Sequence, residues 1–191
     1  MMNEDAPFLA PIEEPEDPNA KQAYAMMRQF FGKVITPVRV LNARLPWDFY
    51  TNFYGQISQL DRKLSLKPET VMLIRQRVAN LNVCMFCIDS NRAGTILAHM
   101  NQAKFDDLDK YKTSSLFTEA DKAALDYVTE LTKEKDVSMK TFSNLSKHYS
   151  EKEICEIVYL VASEHVYNIT NIGLNIHSDM LCDMVKKKGS L

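Results

Sequence analysis

Two cysteines three residues apart, Cys84 and Cys87, carry the clearest chemistry in this chain of 191 residues. A helical residue turns about 100°, so the two thiols stand about 60° apart on one helix face, within disulfide range. The run Cys84-Met85-Phe86-Cys87 follows Asn82 and Val83 and is read as opening a helix that continues to about Met100. At the first turn of a helix, unpaired N–H groups and the macrodipole favour a thiolate and lower a thiol pKa from about 8.5 toward 7 or below. That yields a nucleophile at neutral pH with a second thiol placed to resolve it. Such a pair can reduce a peroxide through a sulfenic acid and an internal disulfide, or exchange with another protein's disulfide. Two other readings stay open: inert buried thiols, because free cysteine is often buried, and half of a zinc site. Zinc needs two further ligands at compatible spacing, and neither a second C-x-x-C nor an H-x(3-5)-H follows, so no metal is expected. Cys155 and Cys182 stand singly in amphipathic stretches and read as ordinary buried residues.

The rest of the chain must hold that pair. Its hydrophobic fraction of 46% and charged fraction of 25% are those of a globule, and no apolar run of about 18 residues exists to cross a bilayer. Glycine is scarce, at 5, and four of the 7 prolines precede Asn19, leaving Glu69 to Leu191 without one. Sheet-rich domains need those residues at their many turns, so the expected class is all-α, one domain of seven to nine helices over residues 19–191. Residues 1–18 read as an extended acidic arm, either a surface strap or a disordered leader. The first 17 residues hold six acids and no base, which leaves 23 bases against 19 acids, a surplus of four, in the remainder. So small a surplus, without Arg or Lys clusters, is no footprint for a nucleic acid. No basic and apolar leader of the signal-peptide kind is seen at the start, and the expected location is the cytoplasm, where thiols stay reduced.

Periodicity and caps place the elements. A helix starts after Asp17-Pro18-Asn19 and ends near Gly32, followed by a turn around Pro37. Pro46 then opens a helix with the aromatic stripe Trp47, Tyr50, Tyr54 and Ile57, read chiefly as core packing, with an apolar substrate pocket as the minor reading. Ser65 is placed as the cap of a helix over 66–82 whose seam is Val71, Ile74, Val78 and Leu81. Thr118 with Asp121, and Ser150 with Glu153, are capping boxes. The second box opens a long helix whose one face is read as Ile154, Ile157, Val161, His165, Asn168 and Ile172, two polar groups in an apolar stripe.

The stretch ETVMLIRQRVANLNVCMFCIDSN, Glu69 to Asn91, resembles the signature segment of the carboxymuconolactone decarboxylase family in its alkylhydroperoxidase D-like branch. The likeness continues through FTEADKAALDYVTELTK and HVYNITNIGLNI, covering about residues 20–180. It implies an all-helical domain assembled as a homo-trimer or homo-hexamer. It also implies a C-x-x-C dithiol that reduces small hydroperoxides with electrons from an external dithiol donor protein, with no bound cofactor. Asn82, two residues before the first cysteine, belongs to the motif. The family's proton relay uses Glu 12 residues before the first cysteine and His 4 after the second, and this sequence has Met72 and Asn91 there. Methionine carries no proton, and asparagine can hydrogen-bond a thiolate but cannot titrate. Either other residues rebuild the relay, or the chain is a redox switch or disulfide-exchange oligomer with little peroxidase turnover. The candidates for rebuilding are Glu69, one turn before Met72; Arg75, as a fixed cation near a thiol; and His165, on the long helix beside Glu164. Helix-terminus physics favours Cys84 as the more acidic thiol, while the family's arrangement leaves Cys87 as the alternative attacker.

Overall fold

Closely spaced prolines keep the N-terminal arm out of helix, and what fixes it is pairing with the domain. The computed structural model describes residues 6–188. Within it, the Phe8 N–H donates to the Leu174 carbonyl at 3.1 Å and the Ile12 N–H to the Arg39 carbonyl at 3.0 Å. Arg39 meets the Glu13 carboxylate at 2.6 Å, and Arg44 donates to the Ala10 carbonyl at 2.6 Å. The described part of the arm is therefore a strap.

Helix α1 (Pro18–Phe31) begins where the Asp17 carboxylate accepts the N–H groups of Asn19 and Ala20, and ends at Gly32, whose φ of +79° suits a residue without Cβ. A short helix α2 (Thr36–Val40) replaces the turn expected at Pro37, because proline is accommodated in a first helical turn. The aromatic segment forms α3 (Trp47–Phe49), a five-residue π-helical turn (Tyr50–Tyr54) and α4 (Gly55–Asp61). Backbone angles stay right-handed across the two junctions, so this is one helix with a π-bulge, a device that recurs at functional sites. Its stripe divides: Trp47 and Ile57 are buried, while Phe49 and Phe53 stack at 5.1 Å on the outside.

Helix α5 (Pro68–Asn82) is the central element. It packs against α6 (Met85–Leu97), α8 (Glu119–Glu134) and α10 (Glu151–Gly173), and its Ile74 and Val78 join Val128, Ile157, Leu160 and Val161 in the main core. The short helices α7 (Gln102–Asp106) and α9 (Met139–Leu145) flank that core. The last, α11 (Leu181–Lys188), lies on α6, where Asp89 accepts the N–H groups of Leu181 and Cys182 at 2.8 and 2.9 Å. The described residues are helical and contain no strand. The expected all-α class is the observed one, with ten helices among the described residues, counting α3, the π-helical turn and α4 as one, where seven to nine were expected. Both capping boxes are complete.

Ser65 does not cap α5, which starts at Pro68. Its N–H and hydroxyl, with the Leu66 N–H, instead converge on the buried Glu156 carboxylate of α10 at 2.9, 2.9 and 3.0 Å. The inward face of α10 also differs from the expected stripe. Buried positions continue as Ile157, Leu160, Val161, Glu164, Asn168 and Asn171, whereas His165 is half-buried and Ile172 exposed. The 3,4,3,4 alternation of a 3.6-residue period runs from Ile157 through Glu164, not through His165 one position later.

Glu156 fixes where α5 begins. Burial alone would raise its pKa, but the Ser65 and Leu66 donors outweigh that and hold it below the usual glutamate range. Its stabilisation is thus complete above about pH 4.3 and is lost as pH falls through the depressed value. Glu156→Gln, which turns one acceptor into a donor facing donors, is expected to cost about 1–3 kcal/mol in urea unfolding at pH 7. The mutant's unfolding midpoint should vary less with pH below 4.3 than the wild type's, by the same linkage.

Candidate functional site

Helix α5 ends abruptly. The N–H groups of Val83 and Cys84 turn back to the carbonyls of Asn80 and Ala79 at 3.2 and 3.1 Å. Val83 takes φ +55°, a left-handed conformation that is strained for a β-branched residue. Cys84 follows as the N-cap of α6, one residue outside the helix expected to open with it, and its Sγ accepts the Cys87 N–H at 3.4 Å. The two sulfurs are joined as a disulfide across Cα atoms 5.3 Å apart. Both cysteines are buried, yet only Cys87 lines the adjoining cavity of about 700 Å³. The Asn171 amide nitrogen reaches the Cys87 Sγ at 3.4 Å.

Five helices and the 3-10 turn Asn42–Arg44 wall the cavity: α2 with Val38, the turn with Asn42, the aromatic helix with Tyr50 and Tyr54, α5 with Met72 and Arg75, α6 with Cys87 and Asn91, and α10 with Glu164 and Tyr167. The Tyr54 and Tyr167 rings stack at 5.3 Å, and the Arg75 guanidinium lies 5.9 Å from the centre of the Tyr167 ring. Part of the stripe read chiefly as core is thus pocket wall.

A polar network closes the cavity behind Cys87. Arg75 pairs with the Glu164 carboxylate at 2.9 Å and with Asp61 at 2.7 Å. The other Glu164 oxygen accepts from Asn168 at 2.9 Å and from Asn91 at 3.3 Å, and Asn168 accepts from Asn82 at 2.8 Å. Tyr159 donates to Asp61 at 3.2 Å. Burial drives the Glu164 pKa up, with Arg75, Asn168 and Asn91 opposing it incompletely. Burial would lower the Arg75 pKa, but Glu164 and Asp61 prevail and keep it charged. Desolvation raises the phenol pKa of Tyr167, and Tyr159 is pushed up to about 12 by burial and by Asp61. The result is a carboxyl more basic than usual lining the same cavity as the Cys87 sulfur.

Among the residues singled out in the sequence, the structure brings together Cys84, Cys87, Arg75, Asn91 and Asn82. The other two it places elsewhere. Glu69 bonds the buried Lys104 at 2.5 Å, a cation shared with Asp121, on the side of α5 that faces α7 and α8. His165 has its Nδ1 on the Val161 carbonyl at 2.9 Å, which leaves Nε2 to accept from Lys135 at 3.2 Å. Neither lines the cavity. Glu164, Asn168, Asn171 and Tyr167 stand at the site without being among the residues that the sequence singles out. The signal for the first three was their 4- and 3-residue spacing in register with Leu160, a row of polar groups continuing a buried face. Cys155 and Cys182 are exposed and half-buried, not buried as expected, since α10 and α11 turn those positions outward. Among the described residues no three His, Cys, Asp or Glu side chains cluster as a metal site, and no helix is long and apolar enough to cross a membrane.

No family model matches the chain. The uncharacterized protein YnjA of Escherichia coli (strain K12) is 27% identical over 169 residues, spanning 84% of this chain and 88% of that protein. Among solved structures, the debrominase Bmp8 in complex with 2,3,4-tribromopyrrole superposes with a TM-score of 0.78 at 18% identity, covering 95% of this chain and 96% of that one. An alkylhydroperoxidase AhpD core, an uncharacterized peroxidase-related protein from Ralstonia eutropha JMP134, gives 0.72 at 16% identity over 89% and 90%. A peroxidase-related protein from Silicibacter sp. TM1040 gives 0.67 at 13% identity over 86% of each chain. At these identities the likeness is one of fold.

Removing Arg75 would leave Glu164 buried without its cation. Arg75→Met is expected to lose about 3 kcal/mol or more at pH 7. A carboxyl whose folded pKa lies above its unfolded value binds extra protons when folded, so its stability deficit grows as pH rises past about 4.3. The mutant should therefore regain stability between pH 7 and pH 5 in urea unfolding, a recovery that a simple packing defect would not give.

Proposed function

We propose that this chain, whose fold is that of the alkylhydroperoxidase D-like proteins, is a dithiol oxidoreductase that reduces hydroperoxides. The observation that carries the reading is a disulfide-forming pair of which one sulfur, Cys87, is presented to a substrate-sized cavity while its partner is sealed behind it. The Cys87 thiolate attacks the terminal oxygen of the hydroperoxide. A sulfur–oxygen bond forms, the oxygen–oxygen bond breaks, and the alkoxide leaves as an alcohol after taking a proton. Glu164, an ion-paired carboxylate whose pKa burial raises, takes the Cys87 thiol proton as the thiolate forms and returns it to that alkoxide, the relay role that the resemblance gives to a glutamate at the position of Met72. Cys84, held at the N-cap of α6, then displaces the sulfenic hydroxyl as water and closes the disulfide. Two electrons from an external dithiol protein reopen it. Asn171, bonded to the Cys87 sulfur, and Asn91, bonded to Glu164, hold the reacting groups in place.

Stopped-flow mixing of the reduced protein with cumene hydroperoxide tests this. Cys87→Ser is expected to abolish the reaction, and Cys84→Ser to stop after one equivalent with a sulfenic acid on Cys87 that dimedone labels. Wild-type consumption by Cys87→Ser would sink the reading, whereas disulfide formation without repeated turnover would leave a redox switch. Glu164→Gln should slow the peroxide step by about 10²-fold at pH 7, because no carboxylate then carries the proton from the thiol to the alkoxide.

The aromatic walls also favour a second reading, reductive dehalogenation of a halogenated ring, by analogy with the debrominase of the same fold. There the dithiol supplies two electrons, halogen leaves as halide, and a proton takes its place. Release of one bromide per disulfide from a bromopyrrole, with no peroxide consumption, would select it.

A further inference from the structure

Buried acceptors without donors are uncommon, because each forfeits its hydrogen bond to water without replacement. Two such oxygens among the described residues, Asn171 Oδ1 and Asn42 Oδ1, belong to side chains that line the cavity, and each residue is only 4% exposed. Asn171 is the more telling. Its amide nitrogen is committed to the Cys87 sulfur at 3.4 Å, so its unpartnered oxygen stands one amide width from the reacting atom.

The cavity's size and walls describe what would bring the missing donor. About 700 Å³ lies within the range of small-molecule sites, roughly 300–1,000 Å³, whereas hydrogen peroxide, about two waters in bulk, would leave it nearly empty. Val38, Leu41, Phe86 and the stacked Tyr54 and Tyr167 suit a flat apolar body.

We propose that the cavity binds a flat, aromatic-sized molecule carrying an O–H or N–H donor, and that Asn171 receives this donor beside Cys87. Resting on the peroxidase reading, this makes Asn171 the positioning residue that sets both specificity and orientation. The O–H of an arylalkyl hydroperoxide, held by Asn171, places the terminal oxygen against the sulfur and directs the organic half into the aromatic walls. On the dehalogenase reading the same oxygen would hold the N–H or O–H of the ring.

Binding to the oxidised, disulfide form tests the assignment without depending on turnover. Calorimetric titration compares 2-naphthol with 2-methoxynaphthalene, matched in ring but differing in the donor. The wild type is expected to bind the naphthol about tenfold more tightly, the usual reach of one buried hydrogen bond. Asn171→Leu should erase that preference while still binding the ether, and Asn171→Asp, which keeps an acceptor, should retain it. Equal affinities in the wild type, or an undiminished preference in Asn171→Leu, would overturn the proposal. So would failure of the wild type to bind either probe. A wild type that shows the preference but consumes no peroxide would fail the peroxidase reading alone.

Discussion

The site is organised around a buried ion pair. Arg75 on α5 and Glu164 on α10 are taken from water together, and each is tolerable only because the other is present. Asp61 at the end of the aromatic helix also pairs with Arg75, so two consecutive helices and the distant α10 are tied at one guanidinium. Because its oxygens also hold Asn91 and Asn168, the Glu164 carboxylate sets the spacing of α6 and α10 behind Cys87. A hydrophobic replacement could fill the same volume. It could not offer a titratable group with a raised pKa to the cavity.

The thiol pair obeys a more local constraint. The left-handed turn at Val83 stops α5 and leaves Cys84 outside the first turn of α6, where its sulfur takes an N–H that no carbonyl can reach. That is the physics expected to make Cys84 the more acidic thiol. Access runs the other way, since Cys87 lines the cavity and carries the Asn171 contact, while the buried Cys84 does not line it. The capping position and access to the cavity are thus divided between two sulfurs three residues apart. That division suits a pair in which one sulfur meets substrate and the other closes the disulfide.

The cavity exists because the aromatic helix does not pack as a regular stripe. The π-bulge over Tyr50–Tyr54 interrupts the 3.6-residue register, so Trp47 and Ile57 reach the core while Tyr50 and Tyr54 stay at the cavity wall. The acidic strap acts on the outer side of this wall, holding Arg39 and Arg44 of the α2 region through Glu13 and Ala10.

Much of this was legible in the residues themselves. Scarce glycine, a proline-free stretch and two capping boxes determine the all-helical class, because these are local properties of backbone and cap chemistry. The spacing of Cys84 and Cys87 puts the two sulfurs within disulfide range, and the structure joins them. The companions of the thiols were a different matter. Met72 and Asn91 stand where the resemblance leads one to expect a carboxylate and an imidazole, but nothing in the sequence says that Glu164, ninety-two residues after Met72, faces the same cavity. Periodicity places His165 in the apolar stripe of the long helix with Glu164 beside it; a rotation of 100° about α10 decides between them, and the packing of α5 and α6 sets that rotation. Sequence determines which helices form and which sulfurs pair, since those depend on neighbours three or four residues apart. Only the tertiary structure decides which charge is buried beside which sulfur, because desolvation and ion pairing act between helices that the chain brings together after many residues.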